Sequence, residues 1–161
     1  MVQGARYVHT NLVARDWRAL ASFYENTLGC RPVPPERHFS GAVLEAGTGV
    51  AEARIDGMHL RLPGWGDQGP TIEIFSYSPS AWCEPPPVNR VGLGHIAFQV
   101  ASVTSAREEV LREGGSAVGD VVTLATADGR EITWCYVRDP EGNIVELQSV
   151  SVGRIEDQRQ R

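Results

Sequence analysis

Four residues of this 161-residue chain, His9, Glu73, His95 and Glu146, are of the types that bind divalent cations or move protons. Neutral imidazole nitrogens and carboxylate oxygens ligate Zn, Ni, Co, Mn or Fe(II), with bonds on the order of 2.0–2.2 Å for zinc. Each of the four sits in a short strand-like run: "HTNLVA" begins at His9, "TIEIF" surrounds Glu73, "HIAFQV" begins at His95 and "NIVELQ" surrounds Glu146. A carboxylate in the middle of an apolar run needs an explanation, because burying an unpaired charge costs several kcal/mol or more. Strand alternation supplies one. Successive side chains point to opposite faces, so Leu12 with Ala14, Ile72 with Ile74, Phe98 with Val100 and Val145 with Leu147 form the faces suited to pack on helices. His9, Glu73, His95 and Glu146 then lie on the helix-free faces. Two such faces around a cavity offer two imidazoles and two carboxylates to one dication, and the two negative charges offset the cost of burying it. Two waters would complete an octahedron and mark adjacent positions for a substrate with two neighbouring oxygens.

The elements that position these residues recur. A constant offset, with no gap, aligns "HTNLVARDWRALASFYENTLG" (9–29) with "HIAFQVASVTSAREEVLREGG" (95–115), pairing His9 with His95, Leu12 with Phe98, Ala14 with Val100 and Gly29 with Gly115. In each copy a short strand leads to an N-cap residue, Asp16 or Ser102, and then to apolar residues at helical spacing. Trp17, Leu20, Phe23, Tyr24 and Leu28 form the apolar face of the first helix; Val103, Ala106, Val110 and Leu111 form a sparser one in the second. Both helices are expected to end near glycine, at Gly29 and at Gly114–Gly115. Strands are expected at 42–44, 53–62 and 71–77 in the first copy, and at 121–124, 132–138 and 144–150 in the second. The pattern predicts an α+β fold of two tandem βαβββ modules in a single domain spanning 1–161, with module 1 at 6–77 and module 2 at 91–150. "SPSAWCEPPPVNR" (78–90) reads as a linker, because proline suits neither sheet nor helix interiors. A polar frayed tail is expected at 151–161.

Composition narrows the function. The chain is 42% hydrophobic and 22% charged, which suits a soluble globular protein. A net charge of −5 lacks the basic footprint that nucleic-acid or anionic-membrane binding needs. Every one of the 15 basic residues is Arg, so lysine-dependent chemistry such as Schiff-base formation or a P-loop is excluded. Three widely spaced cysteines, Cys30, Cys83 and Cys135, form no CxxC pair or disulfide framework, which fits a cytoplasmic setting. Neither a signal-peptide core nor an apolar membrane-spanning run is present.

Other signals carry less. "GLGHIA" (92–97) matches a loose dinucleotide fingerprint, but follows a proline-rich segment and opens a strand rather than a helix. His59, alternating with Met58 and Leu60, is expected at a solvent or cavity position rather than on a metal. Glu45 is an acid–base candidate only if a strand turns it toward the cavity. Arg37, Arg54 and Arg61 are of the type that receives a carboxylate or phosphate.

"YVHTNLVARDWRALASFYENTLG", "TIEIF", "GLGHIAFQV" and above all "YVRDPEGNIVELQ" resemble the vicinal oxygen chelate superfamily across residues 6–150. That superfamily includes glyoxalase I, methylmalonyl-CoA epimerase, extradiol dioxygenases and bleomycin-resistance proteins. "DPEG" is similar to the turn that precedes the strand bearing its final metal ligand. The resemblance implies a curved sheet around a metal-binding cavity and commonly a homodimer. His9, Glu73, His95 and Glu146 fall at the glyoxalase-type ligand positions for one divalent ion. A glyoxalase-type lyase or isomerase would act on a small vicinal-oxygen carbonyl compound through an enediolate-like intermediate, with Glu146 or Glu73 as the proton shuttle. An acyl-CoA epimerase shares the enolate logic, although such epimerases typically carry Gln where Glu73 stands. An Fe(II) extradiol dioxygenase and a non-catalytic antibiotic-sequestering protein are further alternatives. The interval from His9 to Glu73 exceeds that from His95 to Glu146 by about a dozen residues, so an insertion beside the pocket is expected.

Overall fold

The computed structural model describes residues 2–152. The chain divides into two compact units, the first ending at Glu84 and the second beginning at Pro85. Each unit has its own sheet and is α+β. Among the described residues, no helix is long and apolar enough to cross a membrane.

In the first unit, β1 (His9–Val13) leads to α1 (Trp17–Leu28), β2 (Arg31–Ser40), α2 (Ala42–Thr48), β3 (Arg54–Arg61) and β4 (Thr71–Ser78). The sheet order is β1-β4-β3-β2, with β1 parallel to β4 and the other pairs antiparallel. The Asp16 side chain accepts hydrogen bonds from the Arg18 and Ala19 backbone N–H groups, capping α1. Gly29 ends that helix in the left-handed region at φ 68°. Trp17, Leu20, Ala21, Phe23 and Tyr24 form its buried face, which packs on β3 and β4. Leu60, Ile72 and Ile74 meet it from the sheet and are at most 1% exposed. Full burial of each such side chain contributes roughly 1.5–3 kcal/mol. The turn of β4 that buries these isoleucines necessarily turns Glu73 to the other face.

The strand expected at 42–44 is not a strand. β2 lies earlier, and residues 42–48 form α2, closed by Gly49 at φ 71°. The prolines in "RPVPPERHFS" hid β2, since each lacks a ladder donor. Edge strands tolerate that loss, and among the described residues β2 pairs only with β3, through a register shift between Val33 and Arg37. The stretch between α1 and β3 therefore holds the second strand of the βαβββ unit and, beyond that unit, the helix α2.

In the second unit, β5 (Ile96–Gln99) leads to α3 (Val103–Arg112), β6 (Ser116–Ala117), β7 (Val122–Ala125), β8 (Arg130–Arg138) and β9 (Ile144–Val152). The order is β5-β9-β8-β6, with β7 also paired to β8. Ser102 caps α3 through its side-chain oxygen. Val103 and Val110 are buried with Phe98, Cys135, Val137, Val145 and Leu147, whereas Leu111, expected on the apolar face, is 38% exposed. β9 continues to Val152 because β8 offers partners that far, pairing Glu131 with Ser151 and Arg130 with Val152. The strand thus enters the segment expected as a frayed tail; the remainder, from 153, lies outside the described residues.

The turn into β9 is built by Asp139. Its Oδ1 accepts from the Glu141 and Asn143 N–H groups at 3.0 and 2.9 Å, and its Oδ2 accepts from Asn143 Nδ2 at 2.9 Å. Gly142, at φ 90°, supplies the backbone conformation the turn requires. Arg138 donates to the Gly142 and Pro86 carbonyls at 2.7 and 2.8 Å. These bonds set the register in which Glu146 emerges.

Candidate metal and proton-transfer site

In the first unit, β1 and β4 run side by side in the same direction, with His9 opposite Thr71 and Asn11 opposite Glu73. From there His9 Nε2 reaches to 3.1 Å from Glu73 Oε2, and Asn11 Nδ2 donates to the same oxygen at 3.3 Å. The Glu73 side chain is 15% exposed and that of His9 39%. β3 brings in a third partner. His59 stands directly across from Glu73, and its Nε2 lies 3.0 Å from Glu73 Oε1. The other ring nitrogen, Nδ1, is 3.2 Å from Thr71 Oγ1. The His59 ring meets His9 and Phe75 edge to face, each at 6.0 Å between centroids.

Burial lowers the His59 pKa; Glu73 opposes the shift, and the neighbouring Arg37, His9 and Arg61 reinforce it. Burial thus favours the neutral imidazole, in which one nitrogen donates and one accepts. Arg37 and Arg61 lie on the same face, since Arg37 pairs with Gly57 and Arg61 with Thr71 in the registers that flank His59. Arg54 has the opposite parity and faces away. Phe75 covers Gly57: a Cβ there would fall 2.3 Å from Phe75 Cδ1 and 2.1 Å from the Ile74 carbonyl oxygen. Glycine at this position lets the ring lie across β3 beside His59.

The second unit repeats the pair. Parallel pairing of β5 with β9 sets Ala97 opposite Glu146, and His95 Nε2, just before β5, lies 2.9 Å from Glu146 Oε2. The Glu146 side chain is 17% exposed. Tyr136 stands across from Glu146 on β8, its ring 5.1 Å from His95 and 5.0 Å from Trp134. Each expected His is thus beside the expected Glu of its own module. Among the described residues, no three His, Cys, Asp or Glu side chains converge by themselves to hold a metal ion; His9 and His59 engage different oxygens of Glu73.

Alternation alone puts His59 on the helix-free face of the sheet, but its partner depends on the register between β3 and β4. Tyr136 was missed for the same reason. Glu45 sits on α2 and not on a strand, beside Ser40, Glu52 and Arg54. Cys30 and Cys135 are buried and Cys83 is exposed, all as free thiols.

Comparison with known proteins agrees with this architecture. Residues 6–147 match the Glyoxalase/Bleomycin resistance protein/Dioxygenase superfamily. The chain belongs to this superfamily. This member is 23% identical over 145 residues to an ethylmalonyl-CoA/methylmalonyl-CoA epimerase of Cereibacter sphaeroides, covering 90% of this chain and 98% of that protein. Its fold is similar to that of a glyoxalase family protein from Bacillus cereus, with a TM-score of 0.77 and 21% identity over 93% of this chain and 98% of the other. A glyoxalase family protein from Enterococcus faecalis gives a TM-score of 0.55 at 20% identity, over 91% of this chain and 97% of the other. The vicinal oxygen chelate fold expected from the sequence is therefore present, in a superfamily that contains many enzymes and whose members commonly bind a divalent metal.

Proposed function

We propose that this protein is a metal-dependent isomerase or lyase that moves a proton on carbon beside a carbonyl group of a small substrate with neighbouring oxygens. The observation that carries this reading is the repeated pair of His Nε2 and Glu Oε2, separated by 3.1 Å in one module and 2.9 Å in the other. Donors at adjacent positions of an octahedral ion with bonds of about 2.1 Å lie about 3.0 Å apart, so the donor set suits a divalent ion. His9, Glu73, His95 and Glu146 would hold it. When bound, such an ion supplies Lewis-acid stabilisation of negative charge on substrate oxygen.

The side chains of the chain itself do the rest. His9 and His95 bind through neutral nitrogens and hold no proton that the reaction uses. A carboxylate, Glu146 or Glu73, accepts the proton from carbon at a free oxygen and returns it. Delivery of a proton to the opposite face of the same carbon by a second donor on that face is epimerisation; return by the same carboxylate to the neighbouring carbon is the glyoxalase-type reaction. The similarity to an acyl-CoA epimerase favours the first outcome, and a Glu rather than Gln at position 73 favours the second. Arg37 and Arg61 on the face of Glu73 favour an anionic substrate for either. The reading carries a homodimer in a cytoplasmic setting; light scattering at micromolar concentration that returned a monomer would remove the dimer.

The test is solvent-deuterium incorporation with the metal-loaded protein. Methylmalonyl-CoA that exchanges its α-proton and epimerises identifies an epimerase. A hemithioacetal of methylglyoxal converted to a hydroxyacyl thioester identifies a glyoxalase-type enzyme. A protein that retains a divalent ion yet exchanges neither substrate contradicts the proton-transfer reading.

A further inference from the structure

The two His–Glu pairs have different surroundings. Glu146 Oε2 faces His95, and among the described residues no donor is bonded to its Oε1. Glu73 is engaged at both oxygens: His9 and Asn11 at Oε2, and His59 at Oε1. His59 is itself held. Antiparallel pairing puts it directly across from Glu73, Thr71 Oγ1 lies 3.2 Å from its Nδ1, and Phe75, seated over Gly57, closes on its ring. With Nε2–H donating to Glu73 Oε1, Nδ1 is the acceptor and the Thr71 hydroxyl its donor.

We propose that His59 is a positioning residue that pins Glu73 Oε1, so that Glu73 serves as a fixed ligand through Oε2 alone and the mobile proton carrier is Glu146. This rests on the metal-dependent reading above. A carboxylate tied at one oxygen by an imidazole that is itself fixed cannot rotate to offer both oxygens to an ion, and cannot swing away to carry a proton without breaking that bond. Partners of this kind orient metal ligands, and their loss typically lowers metal affinity by about 10–100-fold. His59 is thus expected to act through Glu73 and not to bind the ion.

The test is Co(II) titration of metal-free full-length protein, read by visible absorption. Wild-type protein is expected to bind about one Co(II), His59→Ala to bind it at least about tenfold more weakly with altered ligand-field bands, and His59→Gln, whose amide N–H can reach Oε1, to recover most of the affinity. Circular dichroism checks the fold, and His59→Leu replaces the alanine variant if that one unfolds. Affinity and bands unchanged in His59→Ala or His59→Leu overturn the inference while leaving the metal-dependent reading intact. So does failure of His59→Gln to restore binding, or histidine NMR showing His59 coordinated to the ion. Wild-type protein that binds no Co(II) overturns both.

Discussion

His95 Nε2 and Glu146 Oε2 lie 2.9 Å apart, a contact produced by the parallel pairing of β5 with β9. In the first unit the parallel pairing of β1 with β4 produces the equivalent contact between His9 and Glu73. The same local arrangement built twice is what a duplicated βαβββ unit delivers. The donor at the start of each first strand meets the carboxylate of each last strand, because those two strands are neighbours.

Glu146→Gln should keep the fold and much of the metal, since an amide oxygen still coordinates weakly, yet lose proton transfer because an amide is no base. Deuterium exchange into substrate is expected to fall by roughly a hundredfold or more. Complete loss of metal in this variant would instead make Glu146 chiefly a ligand and shift the proton-carrying role to Glu73.

The His9→Ala, His95→Ala double variant removes one imidazole from each pair and should purify without a stoichiometric divalent ion. Elemental analysis of wild-type and variant protein provides the measurement; equal metal contents would show that the ion is bound elsewhere.

Asp139→Ala deletes three acceptor contacts beneath the turn into β9. Because it leaves partly buried N–H groups without partners, a destabilisation of about 1–3 kcal/mol is expected in urea unfolding. Glu146 follows this turn, so metal affinity should also weaken. A variant as stable as wild type would show that pairing with β8 alone sets the register.

Gly57→Ala forces a methyl group against Phe75 and the Ile74 carbonyl. Overpacking of this sort costs about 1–3 kcal/mol, and the displaced ring no longer flanks His59. Thermal unfolding should report the first effect and Co(II) affinity the second.

Burial, with Glu25 adding to it, pushes the Cys30 thiol from 9.0 up to about 12. Below pH 9 the thiol is protonated in folded and unfolded chains alike. Between pH 9 and 12 only the unfolded chain ionises, so the contribution of this group to stability is lost as pH rises through that window. At pH 8, alkylation should therefore label the exposed Cys83 first and leave Cys30 unmodified until the chain unfolds.

How much of this was legible in advance depends on whether the signal is local. Alternation in "HTNLV", "TIEIF" and "NIVELQ" separates Leu12, Ile72, Ile74, Val145 and Leu147, which are buried, from His9, Glu73 and Glu146, because a strand has a period of two whatever it pairs with. Asp16 and Ser102 could be read as helix caps because a cap bonds within a few residues of itself. β2 was hidden because "RPVPPERHFS" has poor strand propensity, and only its place at the sheet edge makes it a strand. The bond from His59 to Glu73 was hidden for a related reason. Sequence shows which face His59 occupies, but the residue across from it is set by the β3–β4 register, and one residue of slip would turn the imidazole to the other face. The sequence by itself thus determined the kinds of donor and their faces. Tertiary pairing decided which carboxylate is tied at both oxygens and which at one, because strand register depends on contacts between distant segments that no local pattern contains.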